Sequence, residues 1–77
     1  MRDLVEFIVR ALVDDEQAAA VREMSRGEET VLEVTVAPAE IGRLIGRQGR
    51  TVKAIRMVVA AAEKGGGRPP VVEIVGA

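Results

Sequence analysis

The fold of this chain is decided by the stretch Ile41-Gly42-Arg43-Leu44-Ile45-Gly46-Arg47-Gln48-Gly49-Arg50-Thr51-Val52-Lys53-Ala54-Ile55-Arg56. Two of its glycines, Gly46 and Gly49, stand three residues apart between segments whose apolar residues recur at helical spacing. Because glycine lets the backbone reverse without a Cβ clash, this pattern predicts two helices joined by a tight turn. The stretch also holds five cationic side chains and no acidic one: Arg43, Arg47, Arg50, Lys53 and Arg56. Bare backbone amides and positive charge are therefore expected to meet at the turn.

The segments before this stretch predict one helix and two strands. Helical spacing of apolar residues indicates a helix from about Arg2 to Val13, ended by the acidic run at 14–16. A weaker alternation over 17–25 indicates an edge strand, and Gly27 suits the turn that follows. Residues 31–36 are β-branched and alternating, which predicts a strand that turns Leu32, Val34 and Val36 toward the core.

The segments after it predict a long helix and a last strand. A short apolar face ends at Gly46, and beyond Gly49 a longer helix repeats apolar residues at Val52, Ile55, Val59 and Ala62. Glycines at 65–67 and prolines at 69–70 end that helix, and residues 71–75 form the last strand.

The order helix, strand, strand, short helix, long helix, strand predicts an α+β fold. We expect a three-stranded mixed sheet with three helices on one face. The last strand is expected to run parallel to the second, because a helical crossover connects them. A length of 77 residues predicts one domain, over 1–77, near the lower size limit for a self-sufficient core.

Composition excludes most kinds of catalysis. The chain has no Cys, His, Tyr or Trp, and Ser25 is its only serine. Disulfides, thiolate nucleophiles and zinc–thiolate sites are impossible, and the commonest general base is missing. We therefore expect no enzyme, no small-molecule substrate, no metal and no cofactor. No uncharged apolar run approaches the ~20 residues that span a bilayer, so we expect no membrane insertion and a cytoplasmic location.

The charge is distributed unevenly along the chain. The formal net charge is only −1, yet residues 1–40 hold ten acidic side chains against four arginines. Residues 41–62 hold five cations and no acid. This distribution predicts a local basic site on an acidic body, which favours binding of a polyanion at one defined place.

The segment Leu44-Ile45-Gly46-Arg47-Gln48-Gly49-Arg50-Thr51-Val52-Lys53-Ala54-Ile55 resembles the IGxxGxxI motif of KH domains, with Val52 in the position of the last isoleucine. The element order resembles the αββααβ order of the type II KH fold. The chain as a whole is similar to the KhpA (YlqC) family of small bacterial KH proteins. That resemblance implies single-stranded RNA binding and a role as an RNA chaperone or post-transcriptional regulator in the cytoplasm. It also implies a complex with a second copy or with the larger KH protein KhpB, and a role in cell elongation and envelope homeostasis.

Within this motif, the Gly46–Gly49 loop is expected to hold the RNA backbone. KH modules clamp about four nucleotides with such a GXXG loop. Arg47 and Gln48 should project into solvent, and the cations expected to neutralise phosphates beside them are Arg43, Arg50 and Lys53. The candidates for an apolar groove under the bases are Ile41, Ile45 and Val52, with Leu44 or Ile55 lying deeper.

Other interpretations of the glycines fit less well. A dinucleotide-binding loop needs a G-x-G start and a P-loop needs Gly-Lys-Ser/Thr, and neither is present. A helix-turn-helix DNA reader is disfavoured because the long helix is largely apolar after Arg56.

A structural adaptor remains open as the alternative function. The long helix carries more apolar residues than a small sheet can cover: Met57, Val58, Ala60 and Ala61. The sequence leaves open whether a homodimer or a heterodimer forms and whether association hides the loop.

Overall fold

The computed structural model describes residues 1–77. Its helices and strands are α1 (Arg2–Leu12), β1 (Ala20–Arg26), β2 (Glu29–Thr35), α2 (Ile41–Ile45), α3 (Arg50–Ala62) and β3 (Val71–Ile74). Three short 3₁₀ turns lie at Glu16–Ala18, Pro38–Glu40 and Arg47–Gly49. The predicted element order is confirmed.

The sheet has the order β1-β2-β3, with β1 antiparallel and β3 parallel to β2. This confirms the predicted mixed sheet and the parallel crossover through α2 and α3. A two-residue turn closes the β1–β2 hairpin, with Arg26 opposite Glu29 and Gly27 at φ +63°. Gly27 takes the positive φ that its position in the turn was expected to need.

One buried cluster of valine, leucine and isoleucine joins the sheet to all three helices. Leu32, Val34 and Val36 belong to it, as their alternation predicts. The helices contribute five other members of the cluster: Val5 and Val9 from α1, Leu44 from α2, and Ile55 and Val59 from α3. Because strand residues of one parity meet all three helices, the helices cover one face of the sheet.

The strand β1 begins at Ala20, three residues later than the weak alternation suggested. The chain first makes the 3₁₀ turn Glu16–Ala18, in which the Asp15 carboxylate accepts a hydrogen bond from the Ala18 N–H at 3.2 Å. Short acidic side chains commonly stabilise such turns by bonding to nearby backbone amides. The acidic run therefore ends α1 and also delays the strand.

The helix-free face of the sheet is covered mainly by polar side chains. Arg26 of β1 reaches across β2 and donates a hydrogen bond to Glu73 of β3 at 2.9 Å, while it also pairs with Glu29 at 3.3 Å. The hydrogen bond to Glu73 is the largest cause that raises the pKa of Arg26 above its ordinary value. Val31 points to this same face between its cross-strand neighbours Met24 of β1 and Val71 of β3, and it is only 2% exposed.

None of the helices is both long enough and apolar enough to cross a membrane.

We expect Leu44→Ala to lower the free energy of unfolding by about 2–5 kcal/mol, because it empties a fully buried position where α2 meets the core. Urea unfolding followed by circular dichroism at low temperature measures this change. Met57→Ala is the matched control, since Met57 is 67% exposed and its truncation should change stability by about 0.5 kcal/mol or less. Equal unfolding midpoints for the two variants would contradict the placement of Leu44.

Candidate nucleic-acid interface

The loop between α2 and α3 reverses the chain through several residues with positive φ. Gly46 ends α2 at φ +76°, and its N–H bonds to the Gly42 carbonyl oxygen at 2.8 Å. Gln48 follows at φ +57° and Gly49 at φ +75°. Gln48 is the only residue other than glycine with a positive φ in this structure. The loop thus holds a conformation that most L side chains disfavour.

The two glycines are needed for different reasons. A Cβ atom on Gly46 would clash with the Thr51 hydroxyl oxygen and would lie 2.8 Å from the Thr51 backbone nitrogen. A Cβ atom on Gly49 would meet nothing within 4 Å, so only its φ favours glycine there. Gly46 therefore allows the end of α2 to approach the start of α3, and Gly49 only allows the backbone to turn.

Three of the five cations in this stretch make neither an ion pair nor a side-chain hydrogen bond. Arg47, Arg50 and Lys53 are exposed, and none of them is among the side chains that contact a carboxylate within 4.0 Å or donate a hydrogen bond. No side chain caps the N-terminus of α3, and its first turn holds no acid. The positive end of the α3 dipole and three uncompensated cations thus face solvent in one small region.

Arg43, also predicted for the interface, has acidic partners. Its Nη1 lies 3.2 Å from Oδ1 of Asp14 and 3.5 Å from Oε1 of Glu40. Glu40 in turn accepts hydrogen bonds from the backbone N–H groups of Asp14 and Asp15, at 2.6 and 3.0 Å. In the sequence the acidic run is interpreted only as the end of the first helix, and its contact with Arg43 is missed. No signal in the spacing links residues 14 and 43.

Arg56 is likewise engaged, with a different partner. Its Nε and Nη2 both donate to the Val72 carbonyl oxygen, at 3.2 and 2.8 Å. This contact ties the middle of α3 to β3. Arg56 is therefore a structural cation, and the free positive charge concentrates at the loop and the first turn of α3.

The apolar residues predicted for a groove differ in how much surface they offer. Ile41 and Ile45 are partly exposed, whereas Val52 is only 7% exposed. Leu44 and Ile55 are buried in the core, at 0% and 4% exposure, as their expected deeper positions imply. An incoming base can therefore contact Ile41 and Ile45 more readily than Val52.

The loop surface is open, and the detectable cavity of the molecule lies elsewhere. That cavity has a volume of about 370 Å³ and lies against α1, lined by Asp3, Glu6, Phe7, Arg10, Ala11 and Glu16. It shares no residue with the Gly46–Gly49 loop. An open, positively charged surface suits an extended polymer better than an enclosed small ligand.

Comparison with known proteins identifies the family. The family model described as "KhpA/KhpB, KH domain" matches residues 2–74. The "RNA-binding protein KhpA" of Clostridium perfringens is 44% identical over 75 residues, which cover 97% of this chain and all of that protein. The protein of the same name from Aquifex aeolicus is 36% identical over 96% of this chain and 94% of its own length. That of Halalkalibacterium halodurans is 47% identical over 80% and 82%. No solved structure matches the chain.

The family match and the fold agree with each other. The relatives' names describe RNA-binding proteins and not enzymes, which agrees with the expectation that this chain is not a catalyst. The mixed sheet with helices on one face and the glycine loop between α2 and α3 lie within the 2–74 span of the family model. The chain is a member of the KhpA/KhpB family of KH domains.

Proposed function

We propose that this protein binds single-stranded RNA and holds the RNA backbone at the Gly46–Gly49 loop. The observation that carries the proposal is the cluster of three unpaired cations, Arg47, Arg50 and Lys53. They lie at and beside a loop whose backbone turns through positive φ angles. The chemistry suits a phosphate, and the relatives that the chain matches are named RNA-binding proteins. The 1–77 stretch acts in this proposal as one KH domain.

The loop offers a phosphate both hydrogen bonds and charge. Amides in the first turn of α3 lack carbonyl partners within the helix, although that of Arg50 bonds to the Arg47 carbonyl oxygen, and the helix dipole is positive there. The Cβ position of Gly49 faces open space, so a phosphate oxygen can approach the backbone closely there. Arg47 adds a mobile cation, and Gln48 adds amide donors that carry no charge. Together these groups hold a short run of about four nucleotides, as GXXG loops do.

Bases of the held strand are expected to lie over the apolar residues beside the loop. Ile41 and Ile45 offer partly exposed aliphatic surface, whereas Val52 is only 7% exposed. The chain has no Tyr or Trp, so aromatic stacking of bases is not available at this surface. Binding then depends on van der Waals contact and on hydrogen bonds to base edges, which require unpaired bases. The proposed ligand is accordingly a single strand and not a duplex.

The finer roles implied by the family resemblance belong to the same proposal. A protein that holds about four nucleotides by contacts to the backbone would act on many transcripts as an RNA chaperone or post-transcriptional regulator. Its partners in the cytoplasm would be a second copy or KhpB, and its cellular role would be in cell elongation and envelope homeostasis. These roles stay predictions.

A second candidate function is that of an adaptor that associates through α3. Ala54, Met57, Val58 and Ala61 are all exposed, with Met57 at 67% and Val58 at 46%. Their i, i+3, i+4, i+7 spacing places them on one stripe of the helix, separate from its buried face. Association through this stripe is compatible with RNA binding, since two weakly binding modules on one RNA gain avidity.

We expect Arg47→Asp/Gln48→Asp to weaken binding to a labelled, mixed-sequence single-stranded RNA by at least about tenfold, because it replaces one cation and one neutral donor with two anions. Asp tolerates the left-handed backbone found at position 48, so the loop should keep its conformation. Fluorescence anisotropy at low salt measures the affinity, and circular dichroism checks the fold. Arg22→Asp/Gln17→Asp is the matched control, with the same charge change at two exposed residues outside the stretch. Equal binding by the two folded double variants would refute the loop as the binding site.

The salt dependence of binding should report the number of phosphates held. Three contacts predict a slope of log affinity against log salt near −2, from about −0.7 for each contact on a single strand. Lys53→Gln should make this slope shallower by about 0.7 and weaken binding to all RNA sequences alike. Titrations between 50 and 300 mM potassium chloride give the slope, and Lys64→Gln serves as the control for loss of one exposed lysine. An unchanged slope in Lys53→Gln would remove Lys53 from the interface.

Met57→Glu separates the two candidate functions. We expect it to abolish self-association and to leave the affinity for a four-nucleotide RNA within about twofold, because it puts a charge at the centre of the apolar stripe on α3. Sedimentation velocity over a range of protein concentrations measures association. Phe7→Glu provides the control, because it puts the same charge at a 73% exposed apolar residue on α1, outside the stripe. A monomeric wild type would leave the adaptor candidate without support.

A further inference from the structure

The structure separates Arg43 from the other cations near the loop. Arg47, Arg50 and Lys53 have no carboxylate within 4.0 Å, whereas Arg43 Nη1 lies 3.2 Å from Asp14 Oδ1. From this contrast we propose that Asp14 sets the RNA affinity of the site, because its carboxylate holds Arg43 in an ion pair that an RNA phosphate must displace. This inference rests on the proposed function, since it concerns a phosphate bound at the Gly46–Gly49 loop.

Arg43 is close enough to the loop to take part in binding. It belongs to α2, three residues before Gly46, and its side chain is 51% exposed. A long side chain on the last turns of α2 can swing its guanidinium toward a phosphate held at the loop. Arginine also prefers two-pronged contacts with oxyanions, and a phosphate offers these as well as a carboxylate does.

Glu40 fixes the backbone that carries Asp14. Its two carboxylate oxygens accept the N–H groups of Asp14 and Asp15, at 2.6 and 3.0 Å, and its side chain is only 11% exposed. The connection between α1 and β1 is thereby attached to the start of α2. Asp14 is thus positioned beside Arg43 by a contact between parts of the chain 26 residues apart.

Asp14 is the replaceable partner of Arg43. Its side chain is 85% exposed, and Arg43 is its only ion-pair partner. Glu40, in contrast, also supports the backbone, so its removal would disturb the fold. Exposed pairs contribute little, and losing one corresponds to an affinity change of up to about fivefold. Asp14 therefore lowers the affinity of the site modestly, and it does so without blocking access to the loop.

Asp15 separates the specific effect of this ion pair from a general effect of charge. It is the next residue along the same loop, and its carboxylate has no cation within 4.0 Å. Its Oδ1 accepts the Ala18 N–H at 3.2 Å, a role that the Oδ1 of asparagine can keep. Asp14→Asn and Asp15→Asn thus remove the same charge at neighbouring positions, but only the first removes an ion-pair partner of Arg43, which then keeps only its longer 3.5 Å contact with Glu40.

The experiment measures binding of one labelled single-stranded RNA to the wild type, Asp14→Asn, Asp15→Asn, Arg43→Gln and Asp14→Asn/Arg43→Gln. We expect Asp14→Asn to bind about threefold to fivefold more tightly than the wild type at low salt. Asp15→Asn should gain less than half as much. In the Arg43→Gln background, Asp14→Asn should gain no more than Asp15→Asn does.

A second measurement tests the ion pair itself without RNA. The Nε–Hε signal of Arg43 in a ¹⁵N-labelled sample should move in Asp14→Asn and stay in place in Asp15→Asn. Any one of three results would overturn the inference: the Arg43 signal stays in place in Asp14→Asn, the two asparagine variants gain equal RNA affinity, or Asp14→Asn gains its full RNA affinity in the Arg43→Gln background. Failure of the proposed function gives a different result. In that case the wild type binds no RNA, or the wild type and Arg47→Asp/Gln48→Asp bind RNA with equal affinity. That result would overturn both proposals together.

Discussion

The close contact between the backbone of Gly46 and the side chain of Thr51 is the constraint on which the site depends. No Cβ atom fits between them, so α2 ends directly against the first turn of α3. This contact fixes how the two helices meet, and it leaves Arg47 and Gln48 at the tip with no neighbours to cover them. The same junction carries Leu44 into the core on one side and presents the uncapped end of α3 on the other. Core packing and the candidate binding surface thus arise from one turn of the chain.

The cations of this protein fall into two groups: some contact oxygen atoms of the protein, and others have no such partner. Near the loop the positive charge of Arg47, Arg50 and Lys53 is uncompensated, whereas Arg43 and Arg56 are held by protein oxygens. Away from the loop, Arg2, Arg10 and Arg26 are paired with glutamates or aspartates. Arg22, Lys64 and Arg68 are unpaired as well, but only the loop and the first turn of α3 carry three unpaired cations within seven residues. In the proposed function, this cluster of unpaired cations, more than the net charge of −1, would direct a polyanion to the loop.

The sequence predicts the order of elements and most of the core because those depend on local patterns. Leu32, Val34 and Val36 alternate on one strand, and Val52, Ile55 and Val59 recur on one helix, so their burial follows from period alone. The start of β1 was less predictable, because the Asp15–Ala18 hydrogen bond competes with strand pairing there. At the candidate site, the glycines and cations are visible in the sequence. The partners of Arg43 and Arg56 are not, because Asp14 and Val72 lie far from them along the chain and meet them only through the fold.

The charged side chains on the helix-free face of the sheet have a consequence for how copies of this protein crowd together. Stacking two sheets face to face would strip water from Arg26, Glu29 and Glu73, which already satisfy one another within one molecule. Burial of these charged groups between two sheets would cost free energy. The apolar Val31 on the same face is only 2% exposed, so it offers little surface to a second sheet. The ion pairs of Arg26 with Glu29 and Glu73 therefore disfavour face-to-face stacking of two sheets, and they oppose aggregation of this small domain through its helix-free face.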